Sequence, residues 1–330
     1  MKILLVNNGT LPVYSYGGTE RVVWYLGKTL AKLGHKVSFL VDKGNGCDFA
    51  TIIERNPNID IVDQISNEFD IVHFNYQPRN IEKLRVPHLM TQHGNSGIDI
   101  PLHQNTVFVS KNHAERYNAE AFVYNGLDWD DYGIPSLNVK RSYFHFLGKA
   151  AWSVKNVKGA IETVTKVKGE KIHILGGTRL NINMGFRFTW QPRAKFFGMV
   201  GGKEKLTQLQ HSKGLVFPVR WHEPFGLAII ESLYFGAPVF GTPYGSLPEL
   251  VNEDLGFLSN SSTELSEAMK NHQDYNPKTC HNYVATHFNA EVMTKAYINF
   301  YEKVIQGKSL NSNTPQKIAE EKYKFLDWIS

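Results

Sequence analysis

Short apolar runs alternate with stretches of helical spacing along the chain, the pattern of an α/β protein built on parallel sheets. In the first half, residues 3–7, 36–41, 70–74, 87–94, 106–110 and 121–124 read as strands. Between the first two, Val22, Val23, Tyr25, Leu26, Leu30 and Leu33 recur at spacings of three and four, which predicts a helix with Thr19 as cap and Gly34 as terminator. A second helix starts at Lys111. The same alternation begins again further on. Residues 143–147, 171–175, 194–198, 214–218 and 236–240 read as strands, and 202–211 and 291–305 as helices, the latter on Met293, Tyr297, Phe300, Tyr301 and Val304.

Composition narrows the class. The 330 residues are 42% hydrophobic and 20% charged, which predicts a globular chain of two ordinary domains. The opening apolar run stops at Asn7, so it reads as a strand and not a signal peptide. No apolar run approaches the roughly 18 residues of a membrane span. Cys47 and Cys280 are far apart, which fits neither a disulfide framework nor a metal cluster and suggests a reducing compartment. The net charge of +5 is unevenly placed: −3 over residues 1–139, +12 over 140–214 and −4 over 215–330. A basic block of that density points to an anionic partner. Nucleic acid is the rival ligand, but none of its usual binding motifs is present.

Residues 219–231, V-R-W-H-E-P-F-G-L-A-I-I-E, follow the basic block directly and carry the most chemistry. A helix beginning near Phe225 would leave the N–H groups of Phe225, Gly226 and Leu227 unpaired, a setting that attracts phosphate. Gly226 would let a ligand approach the backbone. Glu223 and Glu231 are eight positions apart, and eight helical residues rise about 12 Å. Carboxylates so separated cannot share a proton, but they suit the two ends of an elongated ligand such as a nucleotide sugar. Gly17-Gly18 and Gly176-Gly177 each sit beyond a strand's C-terminal end, where doubly wound sheets meet ligands. Their spacing is not that of a dinucleotide fingerprint.

The wording of this stretch resembles retaining glycosyltransferase family 4, the group 1 glycosyltransferases. Glu223, Pro224, Phe225, Gly226, Leu227, Glu231, Gly236, Pro238 and Val239 match its signature, and residues 245–251, G-S-L-P-E-L-V, resemble the segment that follows. The resemblance implies a GT-B fold, with two Rossmann-like doubly wound domains facing across a cleft. The expected division is 1–139 for the acceptor side, 140–310 for the nucleotide-sugar side and 311–330 for a helix crossing back. The first domain is short for this family.

By the same resemblance, Glu223 would hold the transferred sugar and Glu231 the ribose, while Gly17 and Gly18 would close against donor phosphates and acceptor. His93 would lie near the donor sugar. Where the family typically has Gly-Arg and then a Lys, this chain has Gly148-Lys149 and Lys155, with Lys158 also available for the phosphate. Lysine keeps the point charge but loses the bidentate geometry of arginine. Asn125-Gly126 matches a family turn and reads as structural.

The implied reaction is transfer of a sugar from a nucleotide-diphosphate donor to a sugar or lipid-linked hydroxyl acceptor, with no metal and no other cofactor. The implied place is the cytoplasm, including peripheral association at the inner face of a membrane, in surface polysaccharide or glycolipid synthesis. A GT-B epimerase or phosphorylase is the alternative enzyme, and a catalytically weak nucleotide-sugar-binding protein the alternative without chemistry.

Overall fold

The computed structural model describes residues 1–12, 17–44, 46–97, 100–182, 184, 186–319 and 324–330. The chain divides into two compact units, the first formed by residues 1–13, 17–129 and 288–320 and the second by 14–16, 130–287 and 321–330.

In the first unit β1 (Lys2–Val6) is followed by α1 (Gly18–Lys32), β2 (Lys36–Val41), β3 (Thr51–Glu54), β4 (Ile71–Phe74), β5 (His88–Gln92), β6 (Thr106–Phe108) and α2 (Lys111–Glu115). The strands pair in parallel in the order β3-β2-β1-β4-β5-β6. The second unit holds β7 (Tyr143–Leu147), α3 (Val157–Lys166), β8 (Ile172–Leu175), a small hairpin of β9 (Leu180–Asn181) and β10 (Arg187–Phe188), β11 (Ala194–Phe196), α4 (Gly202–Gln210), β12 (Ser212–Phe217), α5 (Leu227–Tyr234), β13 (Val239–Gly241), α6 (Leu247–Leu250), β14 (Gly256–Leu258), α7 (Ser262–Lys270) and α8 (Pro277–His287). Its main sheet is again all parallel, in the order β11-β8-β7-β12-β13-β14. Leaving the hairpin aside, both units follow the doubly wound order third-second-first-fourth-fifth-sixth, in which the chain reverses direction between the first and fourth strands and opens a crevice at their C-terminal ends.

Each sheet is covered on both faces, so its strands are apolar almost throughout. Phe144, Phe146, Ile172, Ile174 and Val216 are buried against α3 and α7, while Leu4, Val6, Val72, Phe74 and Met90 form a core in the first unit. Gly27, inside α1, lets that helix lie on the sheet: a Cβ there would meet the Phe39 ring at 2.3 Å.

Several expectations are corrected. The N-cap of α1 is Gly17, not Thr19, and its extended φ of 176° is open to any residue. Gly126 makes no tight turn; a Cβ on it would meet the Asn289 carbonyl oxygen at 2.1 Å, so it is needed where the chain abuts the start of α9 (Ala290–Ile305). That helix belongs to the first unit, against α1 and β5, so the unit boundaries fall at 129/130 and 287/288 and not at 139/140. No helix is found among the described residues of 311–330. Instead Asn311, fully buried, accepts from the N–H groups of Glu120 and Ala121 at 2.9 Å in the first unit. Residues 324–330 lie on the second unit, where the N–H of Ile329 donates to the Asn260 carbonyl and that of Leu326 to the Arg220 carbonyl. Non-helical backbone fits at residues 311–319 and 324–330 because Asn311 and the peptide groups beside each stretch supply partners a helix would supply internally.

Candidate functional site

In the second unit the crevice between β7 and β12 is built from the loops that leave those strands. Gly148 (φ +155°) and Gly176 (φ +133°) follow β7 and β8, and a Cβ on Gly176 would meet the Gly148 carbonyl oxygen at 2.1 Å. Gly176 is therefore required for packing two loops together, beside Lys149, whatever else it does. The loop after β12 is held on two sides: the N–H of Arg220 donates to the Val154 carbonyl at 2.7 Å, and the guanidinium Nε of Arg220 to the Leu326 carbonyl at 2.9 Å. Glu223 is pinned through its backbone, since its carbonyl accepts from the Ser246 N–H at 3.0 Å, and a Cβ on Gly245 would strike its N and O at 2.3 Å. The Ser246 hydroxyl donates to the Phe225 carbonyl at 2.6 Å.

This bracing holds a buried carboxylate in one geometry. Glu223 is 7% exposed, and its Oε2 accepts from Lys155 Nζ at 2.5 Å and from the Trp221 indole N–H at 2.7 Å. Lys155 Nζ also lies 5.0 Å from the Trp221 ring centroid and 5.1 Å from that of Phe217. The Trp152 ring packs edge-on against Trp221 at 6.1 Å, and Lys149 Nζ lies 5.4 Å from the Trp152 ring. Lys149, Lys155 and Glu223 are thus joined through two tryptophans. Lys158 is elsewhere, exposed on the first turn of α3.

The helix after Glu223 begins later than its sequence suggests. Gly226, at φ +87°, is the N-cap of α5, and the first helical residue is Leu227, not Phe225. The left-handed glycine stops the helix from extending backward. The Ile229 N–H already donates to the Gly226 carbonyl. Phe225 and Gly226 are buried, whereas Leu227 and Ala228 are half-exposed, so the amides of Leu227 and Ala228 head the helix where an anion can reach. Glu223 precedes the helix, and the 12 Å rise expected of eight helical residues does not apply.

Glu231, one turn into α5, is 2% exposed. Its Oε1 accepts from Lys205 Nζ at 2.5 Å and from the Tyr132 hydroxyl at 2.6 Å, and Lys205 Nζ lies 5.2 Å from the Tyr132 ring. Both signature carboxylates are therefore buried and each is matched with a lysine, as a buried charge requires. Lys205, Tyr132, Trp152 and Trp221 were not singled out from the sequence. Trp221 stands inside the signature stretch and was legible; Lys205 and Tyr132 meet Glu231 only through the fold.

Gly17, Gly18 and His93 belong to the first unit. His93, at the end of β5, donates Nε2–H to Asn75 Oδ1 at 2.9 Å, and Asn75 Nδ2 donates to the Val6 carbonyl at 3.1 Å. Asn75 follows β4 and Val6 ends β1, so His93 is tied to that unit's own reversal point. Burial lowers its pKa to about 4, so its imidazole is neutral at pH 7 with Nδ1 as acceptor.

Residues 141–273, all in the second unit, match the family described as Glycosyl transferases group 1. The O-antigen chain mannosyltransferase C of Escherichia coli is 29% identical over 126 residues, 34% of each chain. The chain spans about a third of the length of the curated relatives it matches. Among solved structures, AviGT4, a glycosyltransferase involved in avilamycin A biosynthesis, superposes with a TM-score of 0.74 at 18% identity, covering 94% of this chain and 99% of that one. Anabaena Alr3699/HepE, solved in complex with UDP and glucose, does so with a TM-score of 0.67 at 14% identity, covering 92% and 100%. The fold is GT-B, and the match to the group 1 glycosyltransferase family falls within its second unit.

Proposed function

We propose that the protein transfers a sugar from a nucleotide-diphosphate donor to a hydroxyl acceptor, with retention at the anomeric carbon, in the synthesis of a surface polysaccharide or glycolipid. The observation that carries this reading is the buried Lys155–Glu223 pair standing ahead of the open first turn of α5, with Lys149 joined to it through Trp152 and Trp221. The O-antigen mannosyltransferase similarity and the UDP held by HepE support the acceptor and donor classes.

In this reading Glu223 accepts hydroxyl hydrogens of the transferred sugar, with its carboxylate aimed by the Trp221 indole. Glu231 holds the ribose, its own orientation set by Lys205 and Tyr132. As the acceptor oxygen bonds to the anomeric carbon, the bond to the diphosphate breaks, its electron pair leaves with the diphosphate, and the acceptor's proton passes to a diphosphate oxygen. Lys149, Lys155 and the Leu227 and Ala228 amides bear that charge. They are in place before the reaction, which is how an electrostatic site lowers a barrier without reorganising. His93, in the first unit, serves as a neutral hydrogen-bonding group and not as a base.

A screen of UDP-, GDP- and ADP-sugars by thermal shift, followed by product analysis of the stabilising donor, tests the reading. Transfer with the donor's anomeric configuration kept is the expected result; an epimerised or phosphorolysed sugar with no transfer would overturn it. Because lysines and helix amides carry the leaving-group charge, EDTA is expected to leave the rate unchanged, and a rate restored only by a divalent cation would contradict that assignment. Lys155→Ala is expected to weaken nucleoside diphosphate binding by about 1–3 kcal/mol, the range for a charged hydrogen bond, measured by calorimetry. Lys158→Ala, at an exposed position, should leave binding within error. The reverse ranking would move the phosphate contact to α3.

A further inference from the structure

The hairpin of β9 and β10 stands apart from the main sheet as a two-stranded sheet of its own, pairing Leu180 with Phe188 and Asn181 with Arg187. Its apolar side chains point into solvent. Trp190 is 85% exposed, Phe186 80% and Ile182 67%, with Leu180, Met184 and Phe188 also exposed. The Phe188 and Trp190 rings pack edge to face at 4.5 Å, so they form one cluster. Scattered apolar residues on a surface need no explanation, but six on one short hairpin do.

The base of the hairpin is fixed to the unit. Arg179 donates to the carbonyls of Thr189, Gln191 and Ala194, and Arg187 to the Thr178 carbonyl and the Thr189 hydroxyl. Both guanidinium groups lie over the Phe196 ring at about 5.5 Å. Their hydrogen-bond partners are neutral, so both positive charges survive. Residues 171–203 carry Lys171, Arg179, Arg187, Arg193, Lys195 and Lys203 and no Asp or Glu at all. Arg179 and Arg187, at the hairpin itself, therefore set two positive charges beside the apolar cluster.

We infer that this hairpin is a membrane-docking element whose partner is an anionic lipid surface. Phe186, Trp190 and Ile182 enter the interfacial layer, where tryptophan is favoured because its ring is apolar and its N–H is not. Arg179 and Arg187 are drawn to anionic headgroups, each adding attraction within a Debye length of the surface. The two effects add, in the way that stable peripheral anchoring combines apolar insertion with a basic patch. The complementarity favours lipid over a protein partner, since the hairpin offers apolar groups and cations but no carboxylate to answer cations on a facing surface.

The test is co-sedimentation of the full chain with vesicles of phosphatidylcholine alone or mixed with phosphatidylglycerol, at low and high salt. Binding is expected only with the anionic vesicles and should weaken with salt. The double variant Phe186→Ser/Trp190→Ser is expected to bind them at least about tenfold more weakly, given the apolar area removed. Because both side chains are exposed, its melting temperature and its binding of nucleoside diphosphates should match the parent, which separates this inference from the donor reading. Equal vesicle binding by parent and double variant would overturn it, as would no vesicle binding by the parent. If light scattering finds the parent dimeric and the double variant monomeric, the cluster covers a second copy of this chain and the inference falls.

Discussion

Glu223→Gln is expected to lower the rate of sugar transfer by roughly 10²–10³-fold, the scale for losing one preorganised electrostatic contact at a reacting centre. Glutamine keeps the volume of the side chain and an oxygen that can still accept from Lys155 and the Trp221 indole, both of which now meet Glu223 Oε2. The backbone clamp by Gly245 and Ser246 is untouched. What is lost is the full negative charge toward the sugar hydroxyls. The same change leaves Lys155 without its counter-charge, so the ammonium becomes a better partner for a diphosphate. Nucleoside diphosphate affinity should therefore hold or rise while transfer collapses. Lys155→Ala predicts the opposite for binding. Glu223→Ala should also remove transfer, but it adds the cost of a buried, unpaired lysine, about 3–5 kcal/mol, and confounds chemistry with folding. Steady-state rates with the donor, beside calorimetry with the nucleoside diphosphate, separate these cases. A Glu223→Gln enzyme of near-parental rate would remove the residue from the reaction.

The sequence carried most of the frame because the frame is written in local periodicity. Nearly every strand of both sheets was legible as an apolar run, since strands buried on both faces need no alternation. The exceptions are instructive. Residues 51–54, T-I-I-E, and 256–258, G-F-L, form edge strands that are short or largely exposed, so no apolar run marks them. The α5 start was misread by two residues because a left-handed Gly226 is indistinguishable, in sequence, from a glycine inside a first turn. A tail helix is what the family resemblance implies, whereas Asn311 anchors the described tail residues of the first unit through backbone groups. At the site, the signature carried both carboxylates but not what neutralises them. Lys155 could be nominated by spacing, and only the fold separates it from Lys158. Lys205 and Tyr132 are 26 and 99 positions from Glu231, and no local rule connects them.

Acid is expected to destabilise the chain before its carboxylates titrate, because the protein buries histidines in the neutral form. His73 lies between the hydroxyls of Tyr301 and Thr91, each at 2.7 Å, and Thr91 in turn meets Tyr297 at 2.9 Å, which ties α9 to the first sheet. His113 is enclosed by Phe108 and Tyr117, with the like-charged Arg116 and His93 nearby. His145, in the second unit, meets the Ser212 hydroxyl at 2.6 Å; beyond burial, His173 lowers its pKa, Glu231 raises it and Arg141 lowers it. Loss of hydration holds all three at about 3 in the folded chain. Unfolded, each would titrate near 6.5. Below pH 6.5 the unfolded chain therefore binds more protons than the folded one, and stability falls as pH falls, by about 1.4 kcal/mol per pH unit for each histidine. At pH 5 that is about 2 kcal/mol apiece, so about 4 from His73 and His113 in the first unit, to which the depressed His93 and His103 add, and about 2 from His145 in the second, against total stabilities of roughly 5–15 kcal/mol. Melting followed by circular dichroism between pH 7.5 and 5 should show a steep loss that begins near 6.5, with the first unit, which also holds the depressed His93, giving way first. His113→Phe should flatten that slope by one proton, since the ring can occupy the apolar site without titrating. A melting temperature level from pH 7 to 5 would mean that these imidazoles are hydrated or charged in the folded state, and that α9 is held to its sheet by something other than a neutral His73.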